Sequence, residues 1–149
     1  MTPGSCAHNP VDDATVAYMA ATRRYFEDLR QVAAQLAGLL VLEAAGAQSG
    51  MPEHPMLAAA GQLYSEAVEG IQHIRVTEQA RQHHEFLLQA AAAVGTALTA
   101  ARRGLEIDPV LTPLRVAYAN LQSAGRELPG FEMVSFEQGC CGVPMRSRR

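Results

Sequence analysis

The stretch IQHIRVTEQARQHHEFL, residues 71–87, decides the fold. Before it, helix-face positions fall at Leu57, Ala60, Tyr64, Ala67, Ile71 and Ile74; after it, at His84, Leu87, Ala91, Val94, Leu98 and Ala101. Each set alternates steps of three and four, the spacing of one helical face. The two sets do not share a register. The stretch that joins them is nearly all polar, with Arg75, Thr77, Glu78, Gln79, Arg81, Gln82, His83, His84 and Glu85.

Two folds follow from this stretch. If the helix runs through it, residues 55–103 form one rod of roughly 72 Å, and the phase slip is drift against its partner. If it breaks between residues 76 and 82, the chain makes a compact four-helix monomer. No proline occurs between Pro55 and Pro109, so the continuous helix is the expectation adopted. Gly61, Gly70 and Gly95 each cost such a helix about 1 kcal/mol against alanine, but they permit close helix contact.

Residues 10–47 carry a second long helix. Tyr18, Thr22, Tyr25, Leu29, Val32, Leu36 and Leu39 keep a heptad seam with one polar member. Asn9-Pro10 reads as a cap followed by proline at the first helical position. Gly46 and Gly50 read as stops. Gly50, Pro52 and Pro55 make a turn between the two helices, which forces an antiparallel hairpin. Centring that turn near Met51 sets Glu78 against Arg24, Arg75 against Glu27, and His84 against Tyr18. Gly104 caps the second helix. Asp108-Pro109 opens a third over residues 109–128, with Pro113 in its first turns and Leu114, Tyr118, Leu121 and Leu128 facing inward. Pro129-Gly130 ends it. Phe131, Met133, Val134 and Phe136 are positioned to dock on the bundle.

The expected fold is therefore all-α: a long antiparallel helical hairpin plus a shorter third helix, completing a four-helix core by homodimerisation. The chain reads as a single helical domain over residues 1–149, with residues 1–8 and 142–149 flexible.

Composition excludes several function classes. The 149 residues are about half apolar, chiefly alanine and leucine, with no tryptophan. Net charge is −3 with both signs dispersed, unlike the basic face of a nucleic-acid binder. The cluster Arg146, Ser147, Arg148 and Arg149 reads as a solvated tail. No apolar run approaches a membrane span, and residues 1–9 lack the pattern of a signal peptide. With three cysteines, Cys6, Cys140 and Cys141, a disulfide framework is not indicated, and a reducing cytoplasmic setting is expected.

Few motifs carry chemistry. The pair Cys140-Cys141 between Gly139 and Gly142 could capture a soft metal or exchange disulfides, although adjacent thiols do not make a spaced zinc motif. His83 and His84 are the histidines that would join it, with a transition metal as the only cofactor this reading allows. His73 and Glu69 are four apart and read as a surface pair, His54 as a turn cap, and His84 as a half-buried seam residue touching a tyrosine or an acid. Glu-x-x-His pairs, phosphate loops, dinucleotide fingerprints and nucleophile elbows are missing from the sequence.

Three functional expectations follow. The first is a non-enzymatic interaction protein, homodimeric and meeting another protein through Leu87, Val94, Leu98, Phe131 and Phe136. The second is a metal- or redox-responsive protein built on Cys140, Cys141, His83 and His84. The third is an enzyme with a polar pocket near Tyr18, Arg24, Glu78 and His84.

Overall fold

The computed structural model describes residues 10–47, 51–104 and 106–133. Among these residues every regular element is helical. The helices are α1 (Asp13–Ala44), α2 (Pro55–His73), α3 (Arg81–Arg102) and α4 (Ile107–Glu127), with a single 3-10 turn at Met51–Glu53 before α2.

The rod expected over residues 55–103 is broken. Ile74 leaves α2 in an extended conformation, and residues 74–80 form the connection to α3. Ile74, Val76 and Thr77 are β-branched and stiff at χ1, which disfavours helix there. Tertiary hydrogen bonds then hold the connection against the start of α1. The Thr15 and Thr77 hydroxyls lie 2.6 Å apart. Gln79 Oε1 accepts from the Asp12 backbone N–H at 3.1 Å. Its amide nitrogen donates to the Pro10 carbonyl at 3.4 Å. Ala80 is buried beneath this turn.

The break replaces the expected long hairpin with an up-down-up-down bundle. α2 returns along α1, where Arg24 reaches Glu66 and the Tyr25 ring sits on Gly70. α3 returns along α2, with Tyr64 seated on Gly95 and Arg102 on Gly61. An added Cβ at any of these three glycines would overlap the side chain resting there, so they serve close contact as their small size suggested. α4 then runs back beside α3 and α1. One chain thus supplies four helices to its core.

Local signals set the helix ends. α1 begins at Asp12, whose carboxylate accepts from the Thr15 backbone N–H at 2.7 Å, rather than at Asn9-Pro10. His54 caps α2 by accepting from the Met56 N–H at 3.2 Å. Gly46 (φ 73°) and Gly104 (φ 68°) take the left-handed conformation that closes helices. α4 starts two residues before the proline expected to open it and continues through Pro113.

The core runs along one face of each helix. α1 contributes Tyr18, Phe26, Leu29, Val32, Leu36 and Leu39; α2 contributes Leu57, Ala60, Ala67 and Ile71. α3 buries six alanines (Ala90, Ala91, Ala93, Ala97, Ala100 and Ala101), and α4 adds Ala117 and Ala124. Small side chains let backbones approach closely, and α3 and α4 make the most extensive helix pair in the molecule. α4 packs less extensively on α1.

Candidate functional site

That unequal packing leaves a groove between α1 and α4. Its α1 wall is Glu27, Arg30, Gln31, Ala33, Ala34 and Ala37. Its α4 wall is Leu111, Leu114, Arg115, Tyr118, Ala119, Leu121 and Gln122, and Met133 closes one end. The cavity measures about 800 Å³. Leu114 and Leu121 are buried at its floor, while Ala34, Ala37, Tyr118 and Ala119 are exposed along it. Tyr118 does not face the core as expected; it is 40% exposed. Charge is confined to the rim. Glu27 and Arg30 pair at 2.5 Å, and Arg115 is exposed with no carboxylate within ion-pair distance among the described residues. The groove was not foreseen from the sequence, because alanines on α1 read equally as a solvated face.

The orientation of the groove follows from its neighbours. Phe131 stacks edge-on against Phe26, centroids 5.3 Å apart, and Gly130 lies against the Arg23 guanidinium. The chain leaving α4 therefore crosses α1 beside Glu27, and Met133 marks that end. α4 runs antiparallel to α1, so Leu111 and Ala37 mark the other. A second hollow of about 600 Å³ lies between Tyr64, Gly95, Thr99 and Pro109.

A second feature is a buried polar cluster where α1, α3 and the segment after α4 meet. The Tyr18 hydroxyl lies 2.8 Å from His83 Nδ1 and 3.4 Å from His84 Nδ1. The Thr22 hydroxyl donates to the Tyr18 carbonyl at 2.6 Å. His83 is fully buried, with Phe131 packed at a centroid distance of 4.3 Å. Burial, aided by the neighbouring His84, pushes His83 down to about 4. Burial lowers His84 as well, and it drives the Tyr18 phenol up to about 12. All three groups are thus held neutral near pH 7, which suits a structural cluster better than proton transfer.

The expected site residues fall in different places. Leu87, Val94, Leu98 and Phe131 are buried in the chain's own core. Phe136, Cys140, Cys141 and Cys6 lie outside the described residues. His83 and His84 do come together with Tyr18, but His83 spends Nδ1 on the phenol. No group of three or more His, Cys, Asp or Glu side chains suited to a metal ion occurs among the described residues.

The polar pocket of Tyr18, Arg24, Glu78 and His84 is only half assembled. His84 meets Tyr18 as expected. Arg24 instead turns to Asp28 and Glu66, each at 3.8 Å, where burial raises the Asp28 carboxyl and Arg24 opposes it. Glu78 pairs with Arg81 in the connection. His73 Nδ1 bonds the Glu69 backbone carbonyl at 2.7 Å rather than its carboxylate.

The fold and groove together define an antiparallel four-helix bundle with an incompletely filled α1/α4 interface. No family model, curated protein or solved structure matches this chain. Among the described residues no helix is long and apolar enough to cross a membrane.

Proposed function

We propose that this is a non-catalytic interaction protein whose α1/α4 groove receives the apolar face of an amphipathic helix from a protein partner. The observation that supports this reading is the groove itself, with an apolar floor, an open top and charge only at its rim. Helix-in-groove recognition uses that arrangement, with side chains at i, i+3 and i+4 entering the trough. A small-molecule site of similar volume encloses most of its ligand, whereas Ala34, Ala37 and Tyr118 remain exposed here. Self-association, if it occurs, would draw on this same face, since the four-helix core closes within one chain. The metal or redox reading is the less favoured, because His83 already spends Nδ1 on the Tyr18 hydroxyl inside the core.

The test is a photo-crosslinking residue placed at Ala34 in the full chain, with a matched control at the exposed Gln62. The expected result is an adduct specific to Ala34, mapped to an amphipathic helix of the captured protein and lost when Ala37→Arg is added. Equal capture from Gln62, or capture insensitive to Ala37→Arg, would overturn the reading.

A further inference from the structure

The α1/α4 groove differs from one end to the other. Met133 closes it beside Glu27, whereas at the far end α1 runs on past Ala37. Val41 follows Ala34 by seven residues and Ala37 by four, so it lies on the same face of the helix. It is 67% exposed. From Glu27 to Val41 this face runs about 21 Å, or four helical turns. A helix laid along it stops against Met133 and leaves over Val41. Opposite Ala34 and Ala37, whose side chains are small, its own large apolar side chains find room.

Charge is uneven as well. Glu27 and Arg30 neutralise each other near the Met133 end, and Gln31 and Gln122 carry no charge. Among the described residues that line the groove, Arg115 is the charge without an ion-pair partner. It stands on α4 one turn from Leu111, in the half of the groove that Ala37 marks. A cation brought there meets repulsion, and a carboxylate meets an unpaired guanidinium.

We infer that the groove selects a protein helix whose apolar face is flanked by an acidic side chain set against Arg115, and that this helix ends at Met133 and leaves over Val41. The inference rests on the groove being a helix-docking surface and adds which helix it takes. Exposed ion pairs contribute little to affinity, so the apolar face supplies the binding. Arg115 acts on the choice of partner and on the rate of association.

The probes are two labelled synthetic peptides of about five helical turns. They share one leucine face and a hydrocarbon staple on the far side that holds both helical. One carries Glu along the flanks of that face, the other Lys. Each is titrated with the full chain and followed by fluorescence anisotropy. The whole chain has a net charge of −3, so non-specific attraction favours the Lys peptide and works against the expected result. That result is tighter binding of the Glu peptide by about three- to tenfold, narrowed by high salt and inverted by Arg115→Glu, a change at an exposed position. Val41→Ser weakens both peptides by a similar factor. Equal affinities, or a preference that Arg115→Glu leaves unchanged, would overturn the acidic flank, and indifference to Val41→Ser would overturn the exit. In those cases binding that Ala37→Arg still abolishes leaves the docking surface standing. If neither peptide binds, or if Ala37→Arg changes nothing, the docking surface fails and the inference with it. Peptide binding that is lost as the chain self-associates assigns the groove to a second copy and overturns the inference.

Discussion

The Tyr18 hydroxyl lies 2.8 Å from Nδ1 of His83, and both residues are buried in the core. The other imidazole nitrogen, Nε2, is buried without a hydrogen-bond partner. Such a ring is tolerated only while neutral, because a buried charge without a counter-ion is far more costly. The groups facing it are the Tyr18 phenol on α1, His84 on its own helix and the Phe131 ring after α4. None supplies a negative charge.

Acid should therefore destabilise the fold. His83 is held down to about 4 in the folded chain, while an unfolded histidine titrates near 6.5. Between those values the unfolded state binds more protons, so stability falls as pH drops through that window and is level above it. A shift of this size corresponds to a loss on the order of 3 kcal/mol once the window is crossed. His84, lowered by burial, acts in the same direction. Urea denaturation between about pH 7.5 and 4.5 measures the slope. His83→Leu should flatten most of it, and an unchanged slope would assign the acid sensitivity to other groups.

The phenol's own contribution is separable. Tyr18→Phe removes the partner of Nδ1 and leaves His83 buried with neither nitrogen paired. The expected cost is about 1–3 kcal/mol, the range for an orphaned buried polar group. In a His83→Leu background the same change should cost much less, because no imidazole remains to be stranded. A double-mutant cycle from denaturation midpoints reads the coupling directly; independent, additive effects would contradict it.

How far the sequence reveals this arrangement differs from one helix to the next. The α1 seam is legible because its three-four spacing is uninterrupted, although Phe26 takes the core position that the heptad assigns to Tyr25. The end of the second helical pattern is legible too, since Gly104 closes α3 with a positive φ. What misleads is the polar stretch after Ile74. Arg75, Glu78 and Gln79 look like one solvated helical face, yet Gln79 and Thr77 hydrogen-bond to the start of α1. The phase slip was the available sign of a break, joined by β-branched Ile74, Val76 and Thr77. Once α3 begins at Arg81 its buried face includes His83, Leu87, Ala90 and Val94, so His83 rather than His84 enters the core. The groove is a different matter. It depends on how far α4 sits from α1, and that distance is set by α4 packing on the alanines of α3, which no local spacing encodes.

Two glycines in helices should respond to alanine with opposite signs. Gly38 lies on the exposed side of α1, with open space where a Cβ would stand. Gly38→Ala should stabilise the protein by about 0.5–1 kcal/mol through helix propensity and unfolded-state entropy. Gly125 lies inside α4, and a Cβ there would stand 2.5 Å from the Phe131 carbonyl oxygen. That oxygen belongs to the backbone and cannot rotate away, so the segment after α4 must move. Gly125→Ala should therefore lower the thermal midpoint despite its better helix propensity. A rise for both variants would show that the segment yields at little cost.

Phe131 is the residue on which that segment depends. It is 1% exposed although it lies beyond the last helix, and it packs on both Phe26 and His83. Phe131→Ala removes a buried aromatic ring and leaves a cavity beside the imidazole, a change that typically costs about 3–5 kcal/mol (the largest single core effect expected in this chain). The cavity also admits water to Nε2, so the variant should lose part of the acid sensitivity that His83 confers. Phe131→Leu keeps most of the volume and should recover most of the stability, with the pH slope close to that of the parent. Both quantities come from the same set of denaturation curves. If Phe131→Ala proved nearly neutral, the segment after α4 would not be anchored in the core, and the position of Met133 at the groove would lose its support.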